Sequence, residues 1–584
     1  MLGKIISTSD EEVLIKLNIN LYEIGNLVNK NVIFEDENKL MGEIIKLEES
    51  LAHIVILGEF INDSFYYGTS NKPSFKANAR VIKKEELDII YKQDENSNLI
   101  NLGNSYIYKN YPISISVNSF FANHFAILGN TGSGKSYSVA RIIQSIFYDA
   151  QRIPYKTNIF LFDAYGEYEN AFNPIGYDNE NINYKVYTTD LTAKNKAIIN
   201  IPFWLLSVDD ICLLLEVDNT NQIGIIEKAL KLVNYFAKDE TEVLKQKTDI
   251  IARAILDIIF SGENPAYIRN KVTSILTKFN TSILNLNTPL MEGGWCRTIK
   301  QCIYVEKNSK FANIELLIKY LENQTTNTFN LSLPDQTFKY DLKDFADALD
   351  FALISEGIYS TSSVFEYANI LKTRVNNLIN SEYSNYFKYP SYVKKEDYIK
   401  KLLTSDNGKK VQVVNFNINY IDDRMAKVIV KIYSKMLFDF AIKIPNRAKF
   451  PIHIILEEAH RYIQNDNDVS ILGYNIFERI AKEGRKYGIL LGMISQRPSE
   501  ISATALSQCS NFLVFKMFYP KDIEFIASVI PNAEIYLVNK IKLLPVGTCI
   551  SFGNAFKMPS LIKIEKPNPE PLSSSSNIDE CWYK

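Results

Sequence analysis

Short apolar segments alternate with polar residues in the first part of the chain. Gly, Asn and Asp fill the intervals, and a spacing of ~10–15 residues between such segments is typical of short antiparallel strands. The segments lie at residues 4–6, 13–17, 32–34, 42–47 and 53–57. They predict a small antiparallel β-barrel over residues 1–95.

At about residue 96 the pattern changes to alternating strands and helices. An apolar strand at 125–128 precedes a glycine-rich loop, and a second buried strand at 158–162 ends at Asp163. Between them, apolar residues recur at the spacing of an amphipathic helix. These are Val139, Ile142, Ile143, Ile146 and Phe147. Buried strands that alternate with helices predict a parallel sheet and therefore an α/β fold, with its first part at 96–194.

Helical patterns dominate residues 195–400, where Ser207 and Asp210 have the spacing of a capping box. We predict that this stretch is a helical-bundle insertion into the sheet domain. The alternation of strands and helices resumes over 401–560, which predicts the second part of that domain. Residues 561–584, rich in Pro and Ser, are predicted to form a C-terminal brace or tail.

Composition excludes several classes of protein. Hydrophobic residues make up 46% and charged residues 23% of the 584 residues, which is ordinary for globular proteins and excludes a mostly disordered chain. Six scattered cysteines and four histidines indicate neither a disulfide framework nor a zinc site. No apolar run approaches the ~18–20 residues that span a bilayer. We therefore expect a soluble, cytoplasmic protein.

The strongest chemical signal is a complete G-x4-G-K-S motif at residues 129–136. Its glycines let backbone amides approach phosphates, Lys135 places a positive charge at the β- and γ-phosphates, and Ser136 offers its hydroxyl to Mg²⁺. The motif predicts an ATP site between a strand and a helix. The predicted nucleotide-binding residues are Asn130, Thr131, Gly132, Ser133, Gly134, Lys135, Ser136 and Tyr137.

A second signal is the apolar strand 452–456, which ends in the adjacent acids Glu457 and Glu458. In the second half of a P-loop site, Glu457 would hold Mg²⁺ through water and Glu458 would orient or deprotonate the attacking water. The alternative is an acidic start to a helix, which the helix dipole favours in any protein.

Two further elements follow. Gln496, directly after the strand 489–494, is a candidate sensor of the γ-phosphate, although an ordinary strand-to-loop turn explains it as well. Residues 478–488 contain four cations near a helix C-terminus. They form either a solvated, dipole-matched face or the source of an arginine finger for the ATP of a neighbouring subunit.

Together these segments resemble the HerA family of hexameric DNA-translocating ATPases, which is related to the FtsK branch of P-loop motors. The resemblance rests on residues 123–129, 163–168, 456–462, 483–488, 495–499 and 544–547. It implies a RecA-like P-loop core with an N-terminal barrel and a helical insertion. It also implies that ATP and Mg²⁺ are the cofactors, and we assign Asp163 to the metal beside Ser136 and Glu457.

The chain departs from the family pattern in two places. The family more often reads Asp-Pro-His-Gly-Glu-Tyr where this chain has Ala164 and Tyr165, so the histidine is missing while Asp163 and Glu167 remain. No arginine lies in 117–126, where some relatives carry a trans-acting one. Our first choice for an arginine finger is therefore Arg485, and Arg479 is the second.

The resemblance also implies partners. These are five further copies in a ring, double-stranded DNA through the pore, and a nuclease or NAD-degrading effector on the barrel. The composition, rich in Asn, Ile, Lys and Tyr, suggests an AT-rich genome or a mobile element and favours anti-phage defence. The net charge of −2 excludes a generally basic surface but not a basic pore. An ATP-gated scaffold for an effector and a conjugative coupling ATPase stay open as alternatives.

Overall fold

The computed structural model describes residues 2–18, 25–93, 97–148, 152–175, 181–307, 309–326, 331–335, 337–355, 362–464, 468–529, 535–573 and 578–583. The chain divides into two compact units. The first comprises Met1–Ala197, Ile399–Asp466 and Tyr474–Lys584, and the second comprises Ile198–Tyr398 and Asn467–Gly473. The predicted boundary at residue 95 and the serines at 574–576 lie outside the described residues.

The N-terminal sheet of the first unit is a closed barrel. Its strands are β1 (Gly3–Thr8), β2 (Val13–Leu17), β3 (Asn31–Glu35), β4 (Lys39–Glu48), β5 (Leu51–Ile61), β6 (Ser64–Tyr67) and β7 (Asn78–Val81). They lie in the order β2-β1-β7-β3-β4-β5-β6, and β2 also pairs with β5, which closes the barrel. Alternate residues such as Val13 and Ile15 are fully buried inside. The predicted antiparallel barrel is confirmed.

The first part of the sheet domain follows the barrel. Its elements are α1 (Lys84–Tyr91), β8 (Leu99–Ser105), β9 (Pro112–Ser116), α2 (Val117–Phe121), β10 (Phe125–Leu128), α3 (Lys135–Tyr148), β11 (Ile159–Asp163), α4 (Glu169–Phe172), β12 (Tyr184–Thr188) and β13 (Ala197–Ile198). The predicted apolar stripe of α3, which includes Val139, Ile142 and Ile143, is buried. This stripe fixes the helix against the sheet.

The second unit is mainly helical. Its elements are α5 (Val208–Leu214), α6 (Thr220–Phe236), α7 (Glu240–Ile259), α8 (Pro265–Lys278), β14 (Pro289–Glu292), β15 (Trp295–Thr298), α9 (Ile299–Cys302), α10 (Ile314–Glu322), α11 (Leu342–Ser355) and α12 (Ser362–Asn380). The amide of Ser207 donates to the Asp210 carboxylate at 2.8 Å in the capping box of α5. The hairpin β14–β15 is an addition that the helical pattern did not predict.

The remaining elements complete the chain. They are α13 (Lys395–Leu402), β16 (Val413–Asn417), α14 (Asp423–Lys443), β17 (Ile452–Leu456), α15 (Asp468–Leu472), α16 (Ile476–Tyr487), β18 (Ile489–Ser495), α17 (Ala503–Ser507), β19 (Asn511–Val514), α18 (Pro520–Val529), α19 (Ile535–Ile541), β20 (Thr548–Gly553), β21 (Ser560–Ile564) and α20 (Ile578–Tyr583). All belong to the first unit except α15 and the start of α13.

A twelve-stranded sheet organises the first unit. Its order is β13-β12-β16-β11-β17-β18-β10-β19-β20-β21-β8-β9. The strands from β12 through β19 are parallel, and those from β19 through β9 are antiparallel. The predicted α/β core with a mostly parallel sheet is confirmed. In the described part of the chain, no helix is both long enough and apolar enough to cross a bilayer.

Candidate functional site

Four neighbouring parallel strands end at one edge of the large sheet, in the order β11-β17-β18-β10. Each ends at, or is directly followed by, a residue that the sequence predicted for the site. These residues are Asp163, Glu457, Gln496 and Gly129. Ligands of open α/β sheets bind beyond the carboxyl ends of the strands, so this edge is the candidate site.

Close backbone approaches shape the loop between β10 and α3. A Cβ on Gly134 would lie 2.9 Å from the Cα of Gly547, and the φ of Gly134 is +114°, a conformation that glycine adopts without strain. The amide of Gly547 donates to the Ser133 carbonyl at 2.8 Å. The Ser133 hydroxyl donates to the Asn130 carbonyl at 2.6 Å. Only glycine at 134 lets the two loops meet.

Lys135 begins α3 and is almost completely buried. Its Nζ donates to the Asn130 carbonyl at 3.0 Å. Burial lowers the pKa of this ammonium, while the charges of Glu458, Glu457 and Glu167 oppose that shift. The amine is therefore a poorly solvated donor that an anionic ligand would stabilise.

A cavity of about 630 Å³ opens above this loop. It brings together most of the predicted site, namely Thr131, Gly132, Gly134, Lys135, Ser136, Tyr137, Glu457, Glu458 and Gln496. Asn130 and Ser133 lie in the loop but do not line the cavity. The individual roles assigned to these residues from the sequence stay predictions.

Glu458 has an unusual backbone conformation, with a φ of +51° in the left-handed region. Non-glycine residues held there are strained, and such strain is concentrated at functional sites. Its side chain is buried, with Oε2 3.2 Å from Nδ1 of His460. Burial raises the pKa of Glu458, and the Lys135 charge and a hydrogen bond from Gln496 oppose the rise. A carboxylate with a raised pKa beside a buried lysine suits proton transfer.

Glu457 and Asp163 form a buried pair of acids beneath the cavity. Glu457 Oε2 accepts from the Ala164 amide at 3.0 Å. Both Asp163 oxygens accept from amides of the next turn, at 2.7 Å from Gly166 and 3.0 Å from Tyr168. Burial raises the pKa of both acids. Asp163 therefore shapes the turn that follows it, while its assignment to the metal stays a prediction.

Gln496 connects the loop to the acids. Its Oε1 accepts a hydrogen bond from the Thr131 hydroxyl, and its side chain lies close enough to Glu458 to lower the pKa of that carboxyl group. The amide thus lies between the P-loop and the predicted base. This position is compatible with reading the γ-phosphate.

Sequence reasoning missed several residues that line the cavity. Glu167 and the exposed Tyr165 come from the turn after β11. Lys566 and Ser573 come from residues 565–573, here called the C-terminal strap. The motif at 163–168 was a usable signal for Glu167, whereas no local pattern indicates that the strap returns to the P-loop.

The predicted arginine fingers lie away from this cavity. Arg485 lines a separate cavity of about 560 Å³ with His124 and Ser510, at the opposite, amino end of the strands. Its side chain is exposed. Arg479 instead lies over the rings of Phe438 and Tyr474, 5.3 and 5.6 Å from their centroids. Arg485 cannot act on the nucleotide site of its own subunit without a large rearrangement.

The cavity fits a magnesium nucleotide. Gly132 faces open space, and Lys135 offers a cation to phosphates. Glu167 Oε2 is buried without a hydrogen-bond partner among the described residues. Within those residues no group of three His, Cys, Asp or Glu side chains could hold a metal ion. In ATP sites Mg²⁺ is bound through one or two carboxylates together with phosphate oxygens.

Comparison with known proteins gives near full-length relatives. The DNA double-strand break repair helicase HerA of Saccharolobus solfataricus is 25% identical over 87% of this chain and 76% of its own length. The protein of the same name from Pyrococcus furiosus is 22% identical over 88% and 78%. The VirB4 structure of Thermoanaerobacter pseudethanolicus is 11% identical over 81% of this chain and 97% of that one, with a TM-score of 0.41.

A P-loop between a strand and a helix, facing the acids of a neighbouring parallel strand, defines a P-loop ATPase. The family described as "Helicase HerA, central domain" matches residues 100–292. This part of the chain is similar to the central domain of the HerA helicases.

Proposed function

We propose that this ATPase works as a hexameric ring that uses ATP and Mg²⁺ to move double-stranded DNA. The observation that carries the proposal is the position of Arg485 at the amino end of the strands, while the nucleotide cavity lies at the carboxyl end. In a ring, the next subunit would supply Arg485 to each nucleotide site. The names of the near full-length relatives support DNA as the substrate.

The proposal is tested by the ATPase rate with and without linear double-stranded DNA. DNA should stimulate hydrolysis, and raised salt should remove the stimulation because salt cations compete with the protein for the phosphates and their release on binding then gains less free energy. Lys135→Ala protein serves as the control for contaminating ATPases. A rate that DNA leaves unchanged, in hexamers verified by mass, supports the alternative of an ATP-gated scaffold. ATPase activity that requires a membrane channel supports the coupling-ATPase alternative.

We further propose that a partner, a nuclease or an NAD-degrading effector, docks on the barrel. Large apolar side chains on its surface support this, since Ile61, Tyr66 and Phe75 are 46%, 54% and 66% exposed. Tyr66 lies on β6, the last strand in the order of that sheet among the described residues. Deleting residues 1–95 should abolish co-purification with the partner while ATP binding survives.

The most specific part of the proposal is a role in anti-phage defence. Its support is the abundance of Asn, Ile, Lys and Tyr in the sequence, which is typical of AT-rich genomes and mobile elements. Phage should form fewer plaques on cells that carry the gene together with the adjacent genes than on cells that carry the Lys135→Ala variant in the same setting. Equal plaque numbers would contradict this role.

A further inference from the structure

The turn after β11 is fixed from two sides. Within the turn, Asp163 Oδ1 accepts from the amides of Gly166 and Glu167 at 2.7 and 3.1 Å. From outside, the amide of Leu572 in the C-terminal strap donates to the Glu167 carbonyl at 2.9 Å. The backbone of Glu167 therefore has one defined position, and its side chain projects from that position into the nucleotide cavity.

The Glu167 carboxylate has neighbours suited to a cation. The Ser136 hydroxyl and the charge of Lys135 both lie near it in the same cavity. Its Oε2 is buried without a hydrogen-bond partner among the described residues. A buried, unsatisfied carboxylate oxygen costs free energy unless a ligand supplies the missing interaction. The ligand that suits it is a cation beside Ser136.

The predicted metal acids are less available than Glu167. Asp163 uses both oxygens on the amides of its own turn. Glu457 is 3% exposed and accepts from the Ala164 amide. Of Asp163, Glu457 and Glu167, it is Glu167 that has a buried oxygen without a hydrogen-bond partner among the described residues.

We propose that Glu167 holds the Mg²⁺ that accompanies ATP at Ser136, through the water shell of the ion. This inference rests on the proposed ATPase site. Mg²⁺ keeps several of its waters and is bound in nucleotide sites through one or two carboxylates together with phosphate oxygens. Glu167 is a positioning residue in this scheme, distinct from the water-activating Glu458.

The test is the affinity of the full chain for a fluorescent ATP analogue, titrated with Mg²⁺ in the absence of DNA. In Glu167→Gln protein the Mg²⁺ concentration for the half-maximal effect should rise by about 10- to 100-fold, the usual cost of losing a supporting group of a metal site. Affinity without Mg²⁺ should not fall, because a negative charge near the phosphates has been removed. Glu167→Asp should restore part of the Mg²⁺ response.

Glu169→Gln is the matched control. Glu169 lies two residues further on, outside the cavity lining, and pairs with Lys196 at 2.5 Å. An unchanged Mg²⁺ midpoint in Glu167→Gln, or an equal loss of affinity with and without Mg²⁺, would overturn the inference. If the unmodified protein binds no nucleotide, the ATPase site itself is wrong. If only DNA stimulation is absent, the Mg²⁺ titration still decides the role of Glu167.

Discussion

The hydroxyl of Tyr137, in the first turn of α3, donates a 2.6 Å hydrogen bond to Glu570, which follows it by 433 residues. About two helix turns further along α3, the Gln144 side chain donates to the Pro569 carbonyl and accepts from the Asn568 amide, each at 2.9 Å. These bonds lay the C-terminal strap along the P-loop helix. The strap therefore forms a wall of the nucleotide cavity.

Breaking the strap contact should weaken nucleotide binding. In Tyr137→Phe protein we expect KM for ATP to rise by a factor of a few, because the strap loses the hydrogen bond that holds it against α3 beside the cavity. The kcat should change little, because the bond contacts no reacting atom. Steady-state kinetics check this, with the exposed Tyr155→Phe as control. A fall in kcat at unchanged KM would contradict this role of the strap.

Binding and water activation should separate at two residues. Lys135→Ala should lose nucleotide binding, because the phosphate charge has no partner in the loop. Glu458→Gln should bind ATP yet hydrolyse it far more slowly. Nucleotide affinity and single-turnover hydrolysis measure the two effects. Hydrolysis by Glu458→Gln at the unmodified rate would assign water activation to another residue.

The pH dependence should report Glu458. This residue acts as a base only when ionised, and burial raises its pKa, so kcat should fall on acidification at a higher pH than an ordinary glutamate would give. Gln496→Leu removes a hydrogen bond that lowers this pKa. In this variant the acidic side of the pH profile of kcat should therefore move to still higher pH. The pH profile of kcat measures this, and Gln508→Leu, outside the cavity, should leave that side of the profile in place.

Arg485 should act between subunits. Arg485→Ala should retain ATP affinity and hexamer mass but lose about 10³–10⁵ in turnover, the range known for arginine fingers. Rings that mix Arg485→Ala subunits with Lys135→Ala subunits should regain activity. In such rings some interfaces place an intact Lys135 of one subunit against an intact Arg485 of the next. Arg479→Ala, which removes a cation packed between two rings, should retain its turnover. Mixed rings that stay inactive at every ratio would exclude the trans role.

His124 should make stability depend on pH. Its Nδ1 accepts from the Leu491 amide at 2.8 Å, and burial lowers its pKa from 6.5 to about 4. The unfolded chain therefore binds a proton that the folded chain does not, and stability falls as the pH drops below about 6.5. The loss from this group is about 2 kcal/mol between roughly pH 7 and pH 5. Denaturant unfolding of His124→Asn should show a correspondingly smaller dependence on pH; parallel curves would contradict it.

Much of the fold follows from local patterns. The alternation of β1 to β5, the stripe on α3 and the buried strand β17 depend on spacings within a few residues, and each is present where predicted. The P-loop is equally local, because its glycines and Lys135 carry their chemistry in a fixed spacing. For these elements a short window of sequence contains the whole physical cause.

The sequence by itself determined that this chain has a P-loop, a strand that ends in two acids, and the class of fold that joins them. Only the tertiary structure decided the order of the twelve strands and the contact of the strap with Tyr137. It also decided that Asp163 accepts hydrogen bonds from its own turn and that Arg485 lies at the opposite end of the sheet. Hydrophobic periodicity shows which face of a strand is buried but not which strand lies beside it. Those partners, often hundreds of residues apart, are selected by packing of the whole domain.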